Sequence, residues 1–458
     1  MNATVASHDR NAVVLGLGIT GLSCVRHLHA AGLATTVMDT RAEPPGADAL
    51  AMAFPDVETH FGALDEARVL QAGLVAVSPG FAADEPLLVR ARAIGVDVAG
   101  DIELFARAAG ADTCTAAITG TNGKSTVTSL LGAILRAAGR EVAVGGNLGT
   151  PALDLLAEPH RDGFVLELSS FQLDLVDRLD LVCAAILNVT ADHLDRHGSM
   201  DAYAAAKQRI YAHARCAVFN ADDPRTIPPA SYAGQRVAVR AERAPGADEW
   251  GMARDARGRT MLRGPAGDLL PLDELPMAGR HNGFNVLVAL AMAASLGVRI
   301  EAALAAVRAF RPLPHRCALV RALAGVRYID DSKATNIGAC RAALEGLDDG
   351  DRRLILIAGG IGKGADFAAL RPAVAERVRA AVLIGRDAPI LERALDGACA
   401  VQHAGSMEEA VGAASALASP GDTVLLAPAC ASFDMFESYA HRGTVFACAV
   451  HRLTEGAA

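Results

Sequence analysis

The chain has 458 residues, 52% hydrophobic and 21% charged, with a formal net charge of −9. A chain of that size has material for about three domains with sizeable cores, and the negative balance argues against general nucleic-acid binding, so any phosphate ligand must be gathered by local donors. Nine cysteines with no CxxC pair and no regular spacing indicate neither a zinc module nor a disulfide framework, and point to a reducing cytoplasm.

The polar segment Met1 to Asn11 lacks the charged-then-apolar pattern of a secretory signal. Val13-Val-Leu15 then reads as a strand running into Gly16-Leu-Gly-Ile-Thr-Gly21. A helix follows with Leu22, Val25 and Leu28 on one face and Gly32 to stop it, and a second strand from Thr35 to Met38 ends at Asp39. This is a mononucleotide-binding half of a Rossmann-like unit, with phosphate oxygens expected at the helix N-terminus. Val75-Ala-Val-Ser-Pro-Gly80 reads as a later strand ending in a polar turn, and the first domain boundary is placed at residue 102.

The second block, 103–312, opens with the strand Ala116-Ala-Ile118. Val127, Leu130, Leu131, Ile134, Leu135 and Ala138 follow helical spacing up to Gly139. Buried strands are expected at Phe164 to Leu168, Val182 to Leu187 and Ala217 to Phe219, short strands and turns from Arg240 to Pro276, and helices at Asn285 to Leu296 and Glu301 to Phe310. Apolar stretches such as Val286 to Leu296 are too short to span a bilayer. Arg311-Pro-Leu-Pro-His-Arg316 is a proline-bearing hinge whose flexing is expected to close the domains around the site. The third block, 313–458, alternates again, with strands at Val326 to Ile329, Leu354 to Ile357, Ala381 to Ile384 and Val424 to Leu426. Three α/β units on short linkers result.

The chain holds four lysines against 39 arginines. Where charge alone is needed arginine serves; lysine is required where a guanidinium is too bulky, too planar, or unable to lose a proton. The four are Lys124 in Gly120-Thr-Asn-Gly-Lys-Ser-Thr126, Lys207 in Ala204-Ala-Ala-Lys207, Lys333 in Asp331-Ser-Lys-Ala-Thr-Asn336, and Lys363 in Gly359-Gly-Ile-Gly-Lys-Gly-Ala-Asp366. Composition drift would not favour polar and glycine-rich turns, so lysine scarcity points to an active site.

Gly120 to Thr126, between a strand and a helix, offers backbone N–H groups to phosphates, a point charge from Lys124, and a hydroxyl from Ser125 for magnesium. It is not a strict Walker A sequence, because Ile118 stands where that pattern needs its first glycine. The second constellation is Glu167, Asp192, His193 and Lys207. Asp192-His-Leu-Asp-Arg-His197 could suggest zinc, but there is no HExxH and no nearby cysteine. The Gly16-x-Gly-x-x-Gly21 turn with Asp39 would by itself suggest NAD.

The loop Thr119-Gly-Thr-Asn-Gly-Lys-Ser125 is similar to the signature of the Mur ligase family, and the resemblance covers the whole chain. It is carried further by Gly145-Gly-Asn-Leu-Gly149, Glu167-Leu-Ser-Ser-Phe-Gln172, Asn188-Val-Thr-Ala-Asp-His-Leu-Asp-Arg-His197, Gly279-Arg-His-Asn-Gly-Phe-Asn285, Pro314-His-Arg316 and Pro428-Ala-Cys-Ala-Ser-Phe-Asp-Met-Phe436. The resemblance implies a Rossmann-like N-terminal domain for the UDP-linked substrate, a central P-loop ATPase-like domain, and a Rossmann-like C-terminal domain for the incoming amino acid. It also implies ADP-forming ligation of D-glutamate to UDP-N-acetylmuramoyl-L-alanine through an acyl phosphate, in the cytoplasmic synthesis of peptidoglycan precursors. Small molecules are the implied partners of a monomer, with no nucleic acid and no membrane insertion.

Residue roles follow from the same resemblance. Lys124, Glu167, His193 and Lys207 are implied as catalytic, with two magnesium ions held by Ser125, Glu167, His193 and a carbamate formed on Lys207. A deprotonated lysine amine can add carbon dioxide and become a carboxylate ligand, which arginine cannot. ATP is implied to meet Gly120, Thr121, Asn122, Gly123, Lys124, Ser125 and Thr126, with purine and ribose on Asn282, Asn285, Arg316 and Asp331. Asn282 and Asn285 also suit a helix N-terminus. The UDP end falls to Ile19, Thr20, Asp39, Thr40, Arg41, Ser78 and Gly80, and the sugar and lactyl-alanine arm to Asn147, Gln172 and His193. D-glutamate falls to Lys333, Thr335, Lys363, Ser432 and Phe433. A folylpolyglutamate-synthase-like enzyme, or a Mur ligase adding another residue, is the nearest alternative. A nicotinamide oxidoreductase would leave Lys124 unused, and a regulatory nucleotide-binding module would leave Glu167, His193 and Lys207 unexplained as a set.

Overall fold

A computed structural model describes residues 11–110, 113–157, 162–277, 279–347 and 354–454. Their contacts divide them into two compact units. The first comprises residues up to 189 with 193–238 and 288–303; the second comprises 190–192, 239–287 and 304 onward.

The first unit contains two sheets. β1 (Asn11–Leu15), β2 (Ala34–Asp39), β3 (Glu58–Phe61), β4 (Leu74–Val77) and β5 (Asp97–Gly100) form a parallel sheet in the order β3-β2-β1-β4-β5. The chain reverses direction of travel at β1, and the Gly16–Gly21 turn leaves that strand at this switch point, where open α/β sheets receive ligands. The turn demands glycine. Gly16 has φ +89, and a Cβ on Gly21 would sit 1.9 Å from the Gly16 carbonyl oxygen. Gly21→Ala is therefore expected to destabilise the protein by about 3 kcal/mol, read as an earlier unfolding transition in urea.

β6 (Cys114–Thr119), β7 (Val142–Gly146), β8 (Gly163–Glu167), β9 (Leu181–Ile186), β10 (Ala214–Asn220) and β11 (Gln235–Val239) form the second sheet, ordered β11-β10-β9-β6-β8-β7. Both faces of such a sheet are covered, so its strands are continuous apolar runs and not alternating ones; Ala116, Ala117, Ile118, Ala184, Ala185 and Ile186 are all buried. The expected strands are present in both sheets, and β3, β5, β7 and β11 are additional ones that the sequence reading missed; β7 was hidden because its glycines, Gly145 and Gly146, look like a turn.

The two sheets are cross-linked by buried and half-buried polar groups. Arg26 and Ser23, on the helix Ile19–Ala30, both donate to Asp154. Glu103 accepts from the backbone N–H groups of Asp177 and Arg178, and Gln172 donates to Asp101 at 2.8 Å.

The second unit begins with an antiparallel sheet of β12 (Gly251–Arg254), β13 (Thr260–Gly264) and β14 (Gly267–Pro271), in the stretch expected to hold short strands and turns. Its larger sheet has the order β15-β16-β20-β17-β18-β19, from Ala318–Leu323, Val326–Asp330, Thr423–Leu426, Leu354–Gly359, Val378–Ile384 and Ala400–His403 respectively. β15 is antiparallel and caps the edge; the other pairings run parallel. The helix bearing Asn282 and Asn285 starts at Arg280, five residues earlier than the expected start at Asn285, so Asn282 also lies within the helix and not ahead of it.

Candidate active site

The loop Gly120–Gly123 joins β6 to the helix Lys124–Ala137, and Gly123 takes φ +85 to turn the chain into the helix. The loop is held from outside. Asn188, two residues past β9, accepts from Thr121 N–H through its backbone carbonyl (2.8 Å). Its side chain accepts from Asn122 N–H (2.9 Å) and donates back to the Asn122 carbonyl (3.0 Å). Lys124 folds onto its own loop, Nζ donating to the carbonyls of Gly120 (2.8 Å) and Thr121 (2.9 Å). Ser125 and Thr126 are buried in the first helical turn, where N–H groups and the helix dipole favour an anion.

Lys207 reaches the same loop. It lies in the helix Met200–Gln208, is 1% exposed, and donates from Nζ to the Gly120 carbonyl at 3.0 Å. Two lysine amines thus share one carbonyl oxygen, an arrangement that like charges oppose when little water screens them. The face of Tyr203 lies 4.4 Å from Lys207 Nζ, and the Tyr203 hydroxyl accepts from Thr121 Oγ1.

Glu167 ends β8 and is 3% exposed. One carboxylate oxygen accepts from Asn147 Nδ2 at 2.8 Å, and the other has no hydrogen-bond partner among the described residues. A buried carboxylate oxygen is costly to leave unpaired, and a cation is the usual remedy. Gly146 lets β7 run close to the end of β8, because a Cβ there would lie 2.5 Å from the Glu167 backbone carbonyl oxygen.

His193 adopts φ +53, a left-handed conformation that costs a non-glycine residue about 1–2 kcal/mol. It starts the single helical turn Leu194–His197, and its ring meets Phe171 edge-on with centroids 5.0 Å apart. His197 stacks flat on Phe171 (5.2 Å, 10°) and its Nε2 lies 2.9 Å from Ser170 Oγ. Burial, followed by the nearby charge of Lys207, holds the His197 imidazole below its ordinary pKa.

At the end of β2, Asp39 is 2% exposed and its carboxylate accepts from Leu17 N–H, Arg41 N–H and the Arg41 guanidinium. The Arg41 side-chain hydrogen bonds lower it to a pKa of about 2. Both oxygens are thereby engaged in shaping the turn, which weakens the reading of Asp39 as a ribose acceptor for NAD. Ile19, at the first helical position, is 74% exposed. Gln172 is also engaged: Oε1 closes a capping box with Ser169, and Nε2 donates to Asp101. Burial raises the Asp101 carboxyl to about 6.

In the second unit, three loops leave the C-terminal ends of the adjacent strands β16, β20 and β17, and they carry Asp331–Asn336, Pro428–Phe436 and Gly360–Asp366. They are stitched together by Ala429 N–H to the Ala334 carbonyl (2.8 Å) and by mutual bonds between Ile361 and Ala431 (2.9 Å). Lys333, Thr335, Lys363 and Ser432 are thus placed on one edge, where a parallel sheet binds ligands. Lys333 Nζ sits 4.0 Å from the centre of the Tyr439 ring. Lys363 is exposed, with φ +52. Asn282 and Asn285 are buried and bonded to each other at 3.3 Å. Asp331 accepts from Cys317 N–H, and loss of water around it raises its carboxyl to about 6.

Family models described as Mur ligase MurD-like N-terminal domain, Mur ligase middle domain, and Mur ligase glutamate ligase domain match residues 10–100, 118–293 and 315–430. The chain belongs to the Mur ligase family. It is 47% identical over 443 residues to the UDP-N-acetylmuramoylalanine--D-glutamate ligase of Nitrosococcus oceani, covering 96% of each chain. It is 48% identical over 451 residues to the enzyme of the same name from Marinobacter nauticus, covering 98% of this chain and 100% of the relative. Among solved structures it resembles UDP-N-acetylmuramate-alanine ligase MurC from Thermotoga maritima, with a TM-score of 0.61, 19% identity, and coverage of 96% and 99% of the two chains.

The first unit of this Mur ligase gathers Gly120 to Thr126 and Lys207 around one loop, while Asn147 and Glu167 form a second bonded pair. Phe433 stands apart from that pattern, with 71% of its surface exposed. Sequence reasoning passed over Asn188, Asp101, Tyr439 and Arg442. Arg442 is wholly buried and donates to the hydroxyl and carbonyl of Ser332 and to the carbonyl of Cys430, so it joins two of the three loops of this Mur ligase edge. Ser438 to Arg442 lies outside the motifs that the sequence marked, which hid it.

Proposed function

We infer that the chain is an ATP-dependent, ADP-forming ligase that joins D-glutamate to UDP-N-acetylmuramoyl-L-alanine, a step in making peptidoglycan precursors. The observation that carries the chemistry is the phosphate loop with Lys124 and Lys207 on one carbonyl, together with a buried Glu167 oxygen that lacks a hydrogen-bond partner among the described residues. The near full-length likeness to two ligases of that name supports the substrates.

The alanyl carboxylate attacks the γ-phosphorus of ATP and ADP departs, leaving an acyl phosphate. The amine of D-glutamate then attacks the acyl carbon, and phosphate leaves from the tetrahedral adduct. Loop N–H groups and Lys124 stabilise the charge gathered on the transferring phosphoryl group. Magnesium, when bound, neutralises phosphate charge. Its donors would be Ser125, Glu167, His193 and Lys207 as a carbamate, in two ions. The orphan oxygen of Glu167 fits such a cation. No group of three or more His, Cys, Asp or Glu side chains suited to a metal occurs among the described residues, and a carbamate on Lys207 would add the missing anionic oxygen while removing the clash of its charge with Lys124.

Asn282, Asn285, Arg316 and Asp331 are assigned to purine and ribose, and Ile19, Thr20, Asp39, Thr40, Arg41, Ser78 and Gly80 to the UDP end. Asn147, Gln172 and His193 are assigned to the sugar and alanyl arm. Lys333, Thr335, Lys363, Ser432 and Phe433 are assigned to D-glutamate, whose two carboxylates suit two lysines and two hydroxyls. The proposed domains are 1–102, 103–312 and 313–458, a reading supported by one large sheet lying in each span. A cytoplasmic monomer is the proposed working form; no helix among the described residues is long and apolar enough to cross a membrane.

ADP release is expected only when ATP, magnesium, UDP-N-acetylmuramoyl-L-alanine and D-glutamate are all present. A coupled ADP assay with each omitted in turn checks this; equal turnover with L-glutamate, or with no amino acid, would refute the assignment.

A further inference from the structure

The turn Leu194–His197 is four residues long and cannot be stable by itself. Two side chains fasten its far end. His197 stacks on Phe171 beside Ser170, as described. Arg196 donates to the Gly80 carbonyl at 2.9 Å and to the Pro79 carbonyl at 3.3 Å, and its guanidinium lies 4.8 Å from the centre of the Phe171 ring. Pro79 and Gly80 belong to the turn that follows β4 in the N-terminal sheet. The other end of Leu194–His197 is closed by Arg196 and His197 N–H groups bonding to the His193 carbonyl, at 3.1 and 3.0 Å. His193 and Arg196 also both contact one ring, Phe171. A displacement of the Ser78–Gly80 turn therefore has a direct mechanical route, through one guanidinium and one phenyl ring, to the strained backbone of His193.

We propose that Arg196 is a positioning residue that couples the Ser78–Gly80 turn to His193, so that occupancy of the nucleotide end of the substrate sets the histidine at the reacting end. The inference rests on the ligase reading, which places UDP at that turn. The guanidinium suits the task because its planar fork spans two carbonyls while its face stays on an aromatic ring. Binding energy gained far from the reacting carboxylate is then used to raise kcat and not only to lower KM.

The test compares the full acceptor with N-acetylmuramoyl-L-alanine 1-phosphate, which lacks the uridylyl group, each at saturation. Wild type should show a kcat about tenfold higher with the full acceptor. Arg196→Ala should lose about tenfold on the full acceptor and less than twofold on the truncated one, and Arg196→Lys, which keeps the cation but not the fork, should fall between. Hydrogen exchange gives a second readout without turnover: UDP alone should slow amide exchange in residues 193–198 of wild type severalfold and leave Arg196→Ala unchanged. Equal losses on both acceptors, or the same UDP-induced protection in Arg196→Ala, would overturn the coupling. If the alanine variant fails to fold, the lysine variant decides by the same ratio. Wild type that turns over neither acceptor would refute the ligase reading itself, a result distinct from either.

Discussion

Lys207→Ala and Lys207→Arg are each expected to lose activity by at least about a thousandfold, the scale for removing a group that stabilises developing charge. Neither side chain can present a carboxylate to magnesium. Arginine should be no better than alanine, because it keeps a positive charge at a place where Lys124 already supplies one to the same Gly120 carbonyl. The alanine variant leaves a buried space against Tyr203, into which formate or acetate could bring an oxygen pair and partly restore turnover. Carbamate formation needs the neutral amine, and ligation to magnesium favours the anionic adduct. Carbon-13 NMR of enzyme equilibrated with labelled carbon dioxide reads the adduct directly. An unmodified amine in magnesium-loaded, fully active enzyme would overturn the carbamate, leaving Glu167 and His193 with water as the ligand set.

Lys124→Arg is expected to be nearly inactive, about a hundredfold or more below wild type in kcat, although the charge is retained. Lys124 Nζ now sits within hydrogen-bond reach of two loop carbonyls, so the loop is closed to the size of an ammonium. Phosphate oxygens would replace those carbonyls as its acceptors. A guanidinium, planar and longer, cannot make that exchange inside the same curve of backbone. Single-turnover phosphoryl transfer measures the loss, and calorimetry with ADP separates it from weak binding. Activity within a few-fold of wild type would mean that Lys124 does not touch the transferring group.

Much of the architecture was legible because parallel α/β sheets write themselves as short apolar runs between amphipathic helices, and because glycine marks the places where backbone approaches backbone. Gly21 is such a place, while Gly16 and Gly123 mark turns that need a positive φ. The strand Val142–Gly146 was not, since the same glycines that let it pass close to Glu167 imitate a turn. The phosphate loop was suggested by its glycine and lysine spacing, although Ile118 departs from the strict pattern. The set of Glu167, His193 and Lys207 was not, because lysine is not an ordinary metal ligand; only resemblance joined them. Tyr439, whose ring centre lies 4.0 Å from Lys333 Nζ, and the buried Arg442 lie outside every motif that the sequence marked. Their roles come from the tertiary packing of three loops, which no local pattern encodes.

The bracing of the phosphate loop by Asn188 bears on the entropy of nucleotide capture. Three hydrogen bonds between Asn188 and the loop hold Thr121 and Asn122, so the backbone order that a phosphate requires is built into the fold by the protein's own contacts. Little conformational freedom is left for ATP to remove there, and each contact it forms counts toward affinity instead of toward ordering the loop.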